Sequence, residues 1–179
     1  MYTIRIHGRG GQGTVTLAQL LAQAGHEEGI WTQATPSFGV ERRGAPVEAY
    51  VRYSDEKITE RSHVEQPDCV IVQDTSLLEY VDVTEGLEDD GILLVNTDAD
   101  PAAVDVDTDA DVITVDATEI ALENLGRPIM NTALLGAFAG ATDKLSTGSL
   151  ESVITRKFAG EVGRKNVAAT TDAYTEVHA

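Results

Sequence analysis

The chain has one cysteine, Cys69, among its 179 residues. A lone thiol excludes an intrachain disulfide, and it excludes a metal cluster held by cysteines of this chain alone. Cys69 lies in the apolar run Cys69-Val70-Ile71-Val72, which suits a buried core thiol better than a nucleophile. The simplest setting is a reducing, cytoplasmic one. No run of about 18 apolar residues occurs, so no transmembrane helix is expected. The N-terminus lacks the charged and apolar regions of a signal peptide. Basic residues are scarce: 13 Lys and Arg stand against 30 Asp and Glu, a net charge of −17. That balance excludes nonspecific binding of DNA or RNA. Lysine occurs only at 57, 144, 157 and 165, and arginine outnumbers it. The acid is spread along the chain and not gathered in a tail. It reads as the solvated surface of a halophile protein, where salt screens the self-repulsion.

Familiar catalytic signatures are missing as well. His7, His26, His63 and His178 have no metal-ligand spacing. Asp105, Asp107 and Asp109 begin like a calcium loop, but Ala110 stands where the sharp turn needs glycine. No metal site is expected. There is no Gly-x-Ser-x-Gly elbow, no His-Glu-x-x-His and no Gly-Lys-Ser/Thr. No catalytic residue is assigned, and the residues describe a binding or assembly module.

What is present is an alternation. With 42% hydrophobic residues, the chain is expected to form one globular domain, 1–179. Strands are predicted at Tyr2–His7, Ile30–Thr35, Pro46–Tyr53, Cys69–Gln73, Ile92–Asn96 and Val112–Val115, with Lys57–Thr59 as a short neighbour of the third. Helices are predicted at Thr14–Glu28, Leu77–Tyr80, Ala117–Leu125, Thr132–Ala141, Ser149–Phe158 and Arg164–Val177. Ser149 is the cap candidate of the fifth, and Gly29 and Gly126 are helix stops. The expected fold is α/β: a Rossmann-like, mainly parallel sheet with helices on both faces.

The stretch His7-Gly8-Arg9-Gly10-Gly11-Gln12-Gly13-Thr14 sits where the first strand hands over to the first helix. Glycines at 8, 10 and 13 match G-x-G-x-x-G, a tight turn that lets backbone N–H groups and a helix N-terminus approach a phosphate. A nicotinamide dinucleotide would need an acid at the end of strand two, and Trp31-Thr32-Gln33-Ala34-Thr35 has none. The turn suits another phosphate-bearing ligand, or it is an empty structural turn. Arg42 and Arg43 locally reverse the charge of this acidic chain. If strands one and two are adjacent, the loops 8–13 and 36–45 emerge at one sheet edge. Arg9, Arg42 and Arg43 would then clamp a polyphosphate or carboxylate. Pairing of the two later arginines with Glu41 or with a partner chain remains equally open.

Longer phrases carry a family resemblance. His7-Gly-Arg-Gly-Gly-Gln-Gly-Thr14 is followed by Gln33-Ala-Thr-Pro-Ser-Phe-Gly-Val-Glu-Arg-Arg-Gly-Ala-Pro-Val47. Further matches are Pro67–Asp74, Val83–Gly86, Val115–Thr118, Gly126–Thr132 and Lys165-Asn166. Together they resemble the gamma subunit of pyruvate or 2-ketoisovalerate ferredoxin oxidoreductase, over the whole chain. The resemblance implies a noncatalytic share in the oxidative decarboxylation of a 2-oxoacid to an acyl-CoA. It implies thiamine diphosphate and iron–sulfur clusters in alpha, beta and delta partner subunits, with electrons passing to ferredoxin. It implies a Rossmann-like gamma part that packs on the alpha subunit and helps bind coenzyme A.

Carried over residue by residue, Gly8, Arg9, Gly10, Gly11, Gln12, Gly13 and Thr14 match the coenzyme loop, with Arg42 and Arg43 beside it. Fused single-chain relatives continue into polar and basic residues, where this chain has Ala18 and Gln19. Gamma chains for 2-oxoglutarate or indolepyruvate share Gly-Gly-Gln-Gly but differ after it, so Glu41-Arg-Arg-Gly-Ala-Pro46 favours the pyruvate type. A free-standing ligand-binding Rossmann domain is the alternative.

Overall fold

The structure, a computed structural model, describes residues 1–37 and 43–178. Six strands form one sheet: β1 (Tyr2–Arg9), β2 (Trp31–Ser37), β3 (Pro46–Ser54), β4 (Cys69–Val72), β5 (Ile92–Asn96) and β6 (Asp111–Val115). The helices are α1 (Thr14–Glu27), α2 (Ala117–Leu125), α3 (Asn131–Thr142), α4 (Thr147–Lys157) and α5 (Gly160–His178). The strand order is β2-β3-β1-β4-β5-β6. β1, β4, β5 and β6 pair parallel, while β3 runs antiparallel to both of its neighbours. The α/β class and the mainly parallel sheet are therefore as the alternation predicts.

Strand periodicity sorts the side chains. Ile4 and Ile6 of β1 face the larger core, where Leu17 of α1, Ile120 of α2, Phe138 of α3, Val153 of α4 and Ala169 of α5 meet them. On the other face Val70, Val72, Leu93 and Val95 are covered by Leu78, Val81, Val83, Leu87, Val104 and Val106. All five α-helices thus pack into one core, and this corrects the expectation of helices on both faces. The connections after β4 and β5 hold only short 3-10 turns, Thr75–Glu79 and Pro101–Ala103. The second connection is rich in Asp and carries Pro101, so it lacks the apolar stripe and the propensity that an amphipathic helix needs.

Other boundaries shift for local reasons. Lys57–Thr59 is not a strand, because β3 already has a partner on each side. Ser146, not Ser149, caps α4, its side chain accepting from Ser149 N–H at 3.2 Å. The last helix begins at Gly160, and Glu161 in its first turn complements the dipole. The segment predicted as a helix at Leu77–Tyr80 is the 3-10 turn Thr75–Glu79, capped by Asp74. Cys69 is fully buried, and burial pushes its thiol pKa well up. No helix of the described residues is long and apolar enough to cross a membrane.

Candidate functional site

The glycine turn connects the end of β1 to the start of α1, as its sequence implies. Strands one and two are not adjacent, however: β3 lies between them. The two loops still meet, because β3 starts at the edge where β1 ends. The β1–β3 ladder runs to Arg9↔Pro46, and beyond it Gly10 N–H donates to Ala45 O at 2.8 Å while Gly44 N–H donates to Gly10 O at 3.0 Å.

Two glycines have steric reasons. A Cβ on Gly8 would lie 2.2 Å from Thr14 Oγ1 and 2.4 Å from Gln73 Oε1. Gly13 has φ 75, and a Cβ there would meet Asn131 Nδ2 at 2.3 Å. Gln12 closes the turn on itself: its Oε1 accepts from Arg9 N–H at 2.7 Å and its Nε2 donates to Asp74 at 2.8 Å. Thr14 Oγ1 donates to Gln73 Oε1 at 2.6 Å.

Arg9 is a strut in this arrangement. Its Nε and Nη2 donate to Ser76 Oγ at 3.0 and 2.8 Å, and Nη1 donates to Gly44 O at 2.9 Å. Asp74 stands 3.5 Å from Arg9 Nε. Burial alone would raise the Asp74 pKa, but hydrogen bonds from Ser76 and Gln12 and the Arg9 charge hold it below its ordinary value. Arg43 is exposed, with its Cγ 4.0 Å from where a Gly11 Cβ would sit. Arg42 lies outside the described residues; of the three arginines expected to clamp a ligand, Arg9 is turned to Ser76, Gly44 and Asp74, and Arg43 lies beside Gly11.

Gly11, Gly13, Thr14, Thr16, Ser37 and Glu48 are among the residues lining a cleft of about 290 Å³ at this edge. Among the described residues, no hydrogen bond engages the N–H groups of Gly11, Gly13, Thr14, Val15 or Thr16. The first turn of α1 has neither an acidic residue nor a side-chain cap. The same holds for α3, whose first residue, Asn131, touches Gly13. The start of α1 therefore lines the cleft and the start of α3 meets it at Gly13, and neither first turn carries an acid of its own, a setting that favours an anion.

Glu48 is the opposing charge. Its carboxylate accepts from Tyr50 Oη at 2.5 Å and lies 3.6 Å from His7 Nδ1. Burial and the hydrogen bond to Glu48 push the Tyr50 pKa up to about 12. Buried Arg5 donates to His7 Nε2 at 3.1 Å and to the carbonyls of Val83 and Glu85 at 3.0 and 2.6 Å. This polar layer lines the face that carries no α-helix. No cluster of three His, Cys, Asp or Glu that could hold a metal ion occurs among the described residues.

The family profile described as pyruvate ferredoxin/flavodoxin oxidoreductase matches residues 3–176. The chain belongs to that family. Pyruvate synthase subunit PorC of Methanothermobacter marburgensis is 51% identical to it over 177 residues, 99% of this chain and 98% of its own. The common gamma subunit of the pyruvate/ketoisovalerate oxidoreductases of Pyrococcus abyssi is 50% identical over 177 residues, 97% of this chain and 96% of its own. Among solved structures, pyruvate oxidoreductase subunit PORC of Thermotoga maritima superposes with a TM-score of 0.89 at 40% identity. It covers 97% of this chain and 95% of that one. Within the oxidoreductase family, these relatives are gamma-type chains of matching length.

Reading the sequence for the site missed Gln73, Asp74, Ser76, Glu48 and Asn131. Gln73-Asp74 closes the apolar run of β4, so the abrupt change to polar residues at a strand end was the available signal. Glu48 became visible only when β3 was found beside β1.

Proposed function

We propose that this chain is the gamma subunit of a pyruvate or 2-ketoisovalerate:ferredoxin oxidoreductase, without catalytic residues of its own. It contributes one gamma-type domain that serves coenzyme A binding and assembly. The observation that carries the coenzyme reading is the pair of abutting helix N-termini of α1 and α3. In a chain with 30 acidic residues, both first turns are free of acid and of side-chain caps. Coenzyme A supplies what such a place lacks, a diphosphate. The N–H groups of Gly11, Gly13, Thr14, Val15 and Thr16 would hold it, with Arg43 close by. Arg9 and Gln12 keep the turn in shape.

The cleft, at about 290 Å³, is at the low end for small-molecule pockets. It fits the phosphate end of the coenzyme, leaving the thiol for the subunit that holds the 2-oxoacid. When bound, coenzyme A supplies the thiol that accepts the acyl group. Thiamine diphosphate and the iron–sulfur clusters reside in alpha, beta and delta partner subunits. The single cysteine of this chain, buried in β4, fits that division. Ferredoxin contacts the complex, and the complex is cytoplasmic.

Tagging this chain in its host and isolating what travels with it tests the assembly. Co-purification of a thiamine-dependent, iron–sulfur subunit set supports it. 2-Oxoacid oxidation by the isolated chain overturns it. Calorimetry of the complex tests the ligand: coenzyme A binds and NAD does not, and the reverse order rules the coenzyme reading out.

A further inference from the structure

We propose that Asn131 is itself a ligand-binding residue, donating from Nδ2 to a phosphate oxygen held between the first turns of α1 and α3. This rests on the placement of coenzyme A at the glycine turn. Asn131 is 7% exposed. Its Oδ1 accepts from Gln73 Nε2 at 3.0 Å. Its Nδ2 has no hydrogen-bond partner among the described residues, and it is the atom nearest to where a Gly13 Cβ would be. A nine-tenths buried amide with one end satisfied and the donor end idle is uncommon, since buried polar atoms are paired as a rule. No partnerless side-chain nitrogen or oxygen of the described residues is sealed from solvent, so this nitrogen opens onto accessible space.

The orientation of the amide follows from its neighbours. Gln12 O is a carbonyl and can only accept; the Gln73 nitrogen is turned toward it, at 3.5 Å. Gln73 Oε1 then receives Thr14 Oγ1, and Gln73 Nε2 also donates to Asn131 Oδ1. Asn131 is left with two N–H bonds facing the turn. Gly13, the residue before α1, sits against this amide of the first residue of α3. A phosphate there would receive donors from α1, from α3 and from this side chain, and Gln73 would act as the positioning residue that fixes the amide.

The assembled oxidoreductase carrying Asn131→Asp in this chain tests the proposal. Asp keeps the size and the bond from Gln73, and it replaces the donor with a negative oxygen. The KM for coenzyme A is expected to rise about ten- to hundredfold, the range for hydrogen bonds to charged groups. The kcat and the KM for the 2-oxoacid stay within about threefold. A rise confined to the 2-oxoacid KM would mean that the oxyanion is its carboxylate, and the proposal falls. An unchanged coenzyme A KM also overturns it. Gly13→Ala separates the two levels. If that change raises the coenzyme A KM while Asn131→Asp does not, the turn still binds the coenzyme and only the role of Asn131 is lost. If neither does, the placement of the coenzyme fails too. Should Asn131→Asp not assemble, Asn131→Ala removes the donor without adding charge, and a three- to tenfold rise in the same KM is the supporting result. An unchanged KM in that variant refutes the proposal.

Discussion

The Thr14 hydroxyl donates to Gln73 Oε1 at 2.6 Å, and both atoms lie where a side chain on Gly8 would begin. Gly8→Ala must therefore break that bond or move the end of β4. The expected loss is about 1–3 kcal/mol, the usual cost of overpacking. It is measurable as a lower denaturation midpoint. Thr14→Val in the Gly8→Ala background should add little, because the bond is already gone. Full additivity of the two losses would show that the bond does not span Gly8.

Arg9 makes three hydrogen bonds in a fan that a lysine ammonium cannot reproduce. Arg9→Lys should behave like Arg9→Ala, each losing about 1 kcal/mol of stability. In Arg9→Ala the Asp74 carboxyl should titrate closer to its ordinary value, followed by carbon NMR of the side chain. A lysine variant as stable as wild type would mean that only the charge matters at this position.

His7 gives the fold an acid-side weakness. Burial lowers its pKa to about 4 from an ordinary 6.5; nearby Glu48 works against the shift and Arg5 adds to it. The native state thus takes up a proton less readily than the unfolded chain. Stability from neutral His7 is complete above pH 6.5 and is lost as the pH falls from 6.5 toward 4. Urea midpoints recorded across that window should decline in wild type and decline less in His7→Gln. Parallel curves would remove His7 from the account.

The net charge of −17 predicts a response to salt. At 1 M the screening length is about 3 Å, so repulsion between surface carboxylates is largely removed. The melting temperature should rise between 0.1 and 2 M KCl. A flat or falling curve would make the acidity ordinary and the halophile reading wrong.

The strands and helices were legible because their apolar periods differ, and the glycine turn because its residues are the motif. The pairing was not. A hairpin of β2 and β3 and a β1–β3 contact depend on long-range register, and Pro46–Tyr53 reads equally well beside Lys57–Thr59 or beside β1. The missing helices on the second face follow from two acidic connections, the second carrying Pro101, whose composition was visible but whose position was not. The role of Arg9 could not be read either. An arginine next to glycines suggests a ligand, and only the fold brings Ser76, Gly44 and Asp74 within reach of it.

The antiparallel β3 carries a last consequence, for tolerance to insertions. Residues Trp31–Ser37 are paired one to one with Glu48–Ser54, and β3 is paired again with β1. Adding or removing one residue between Ser37 and Pro46 leaves all of these pairs in step, and the cost of closing a slightly longer loop is small. The same change inside β3 would exchange its faces, sending Arg52 and Tyr50 into the apolar core and Val51 and Tyr53 out of it. Between β2 and β3, a change of length is thus tolerated in the connection and not inside β3, and the pairing of the sheet stays the same.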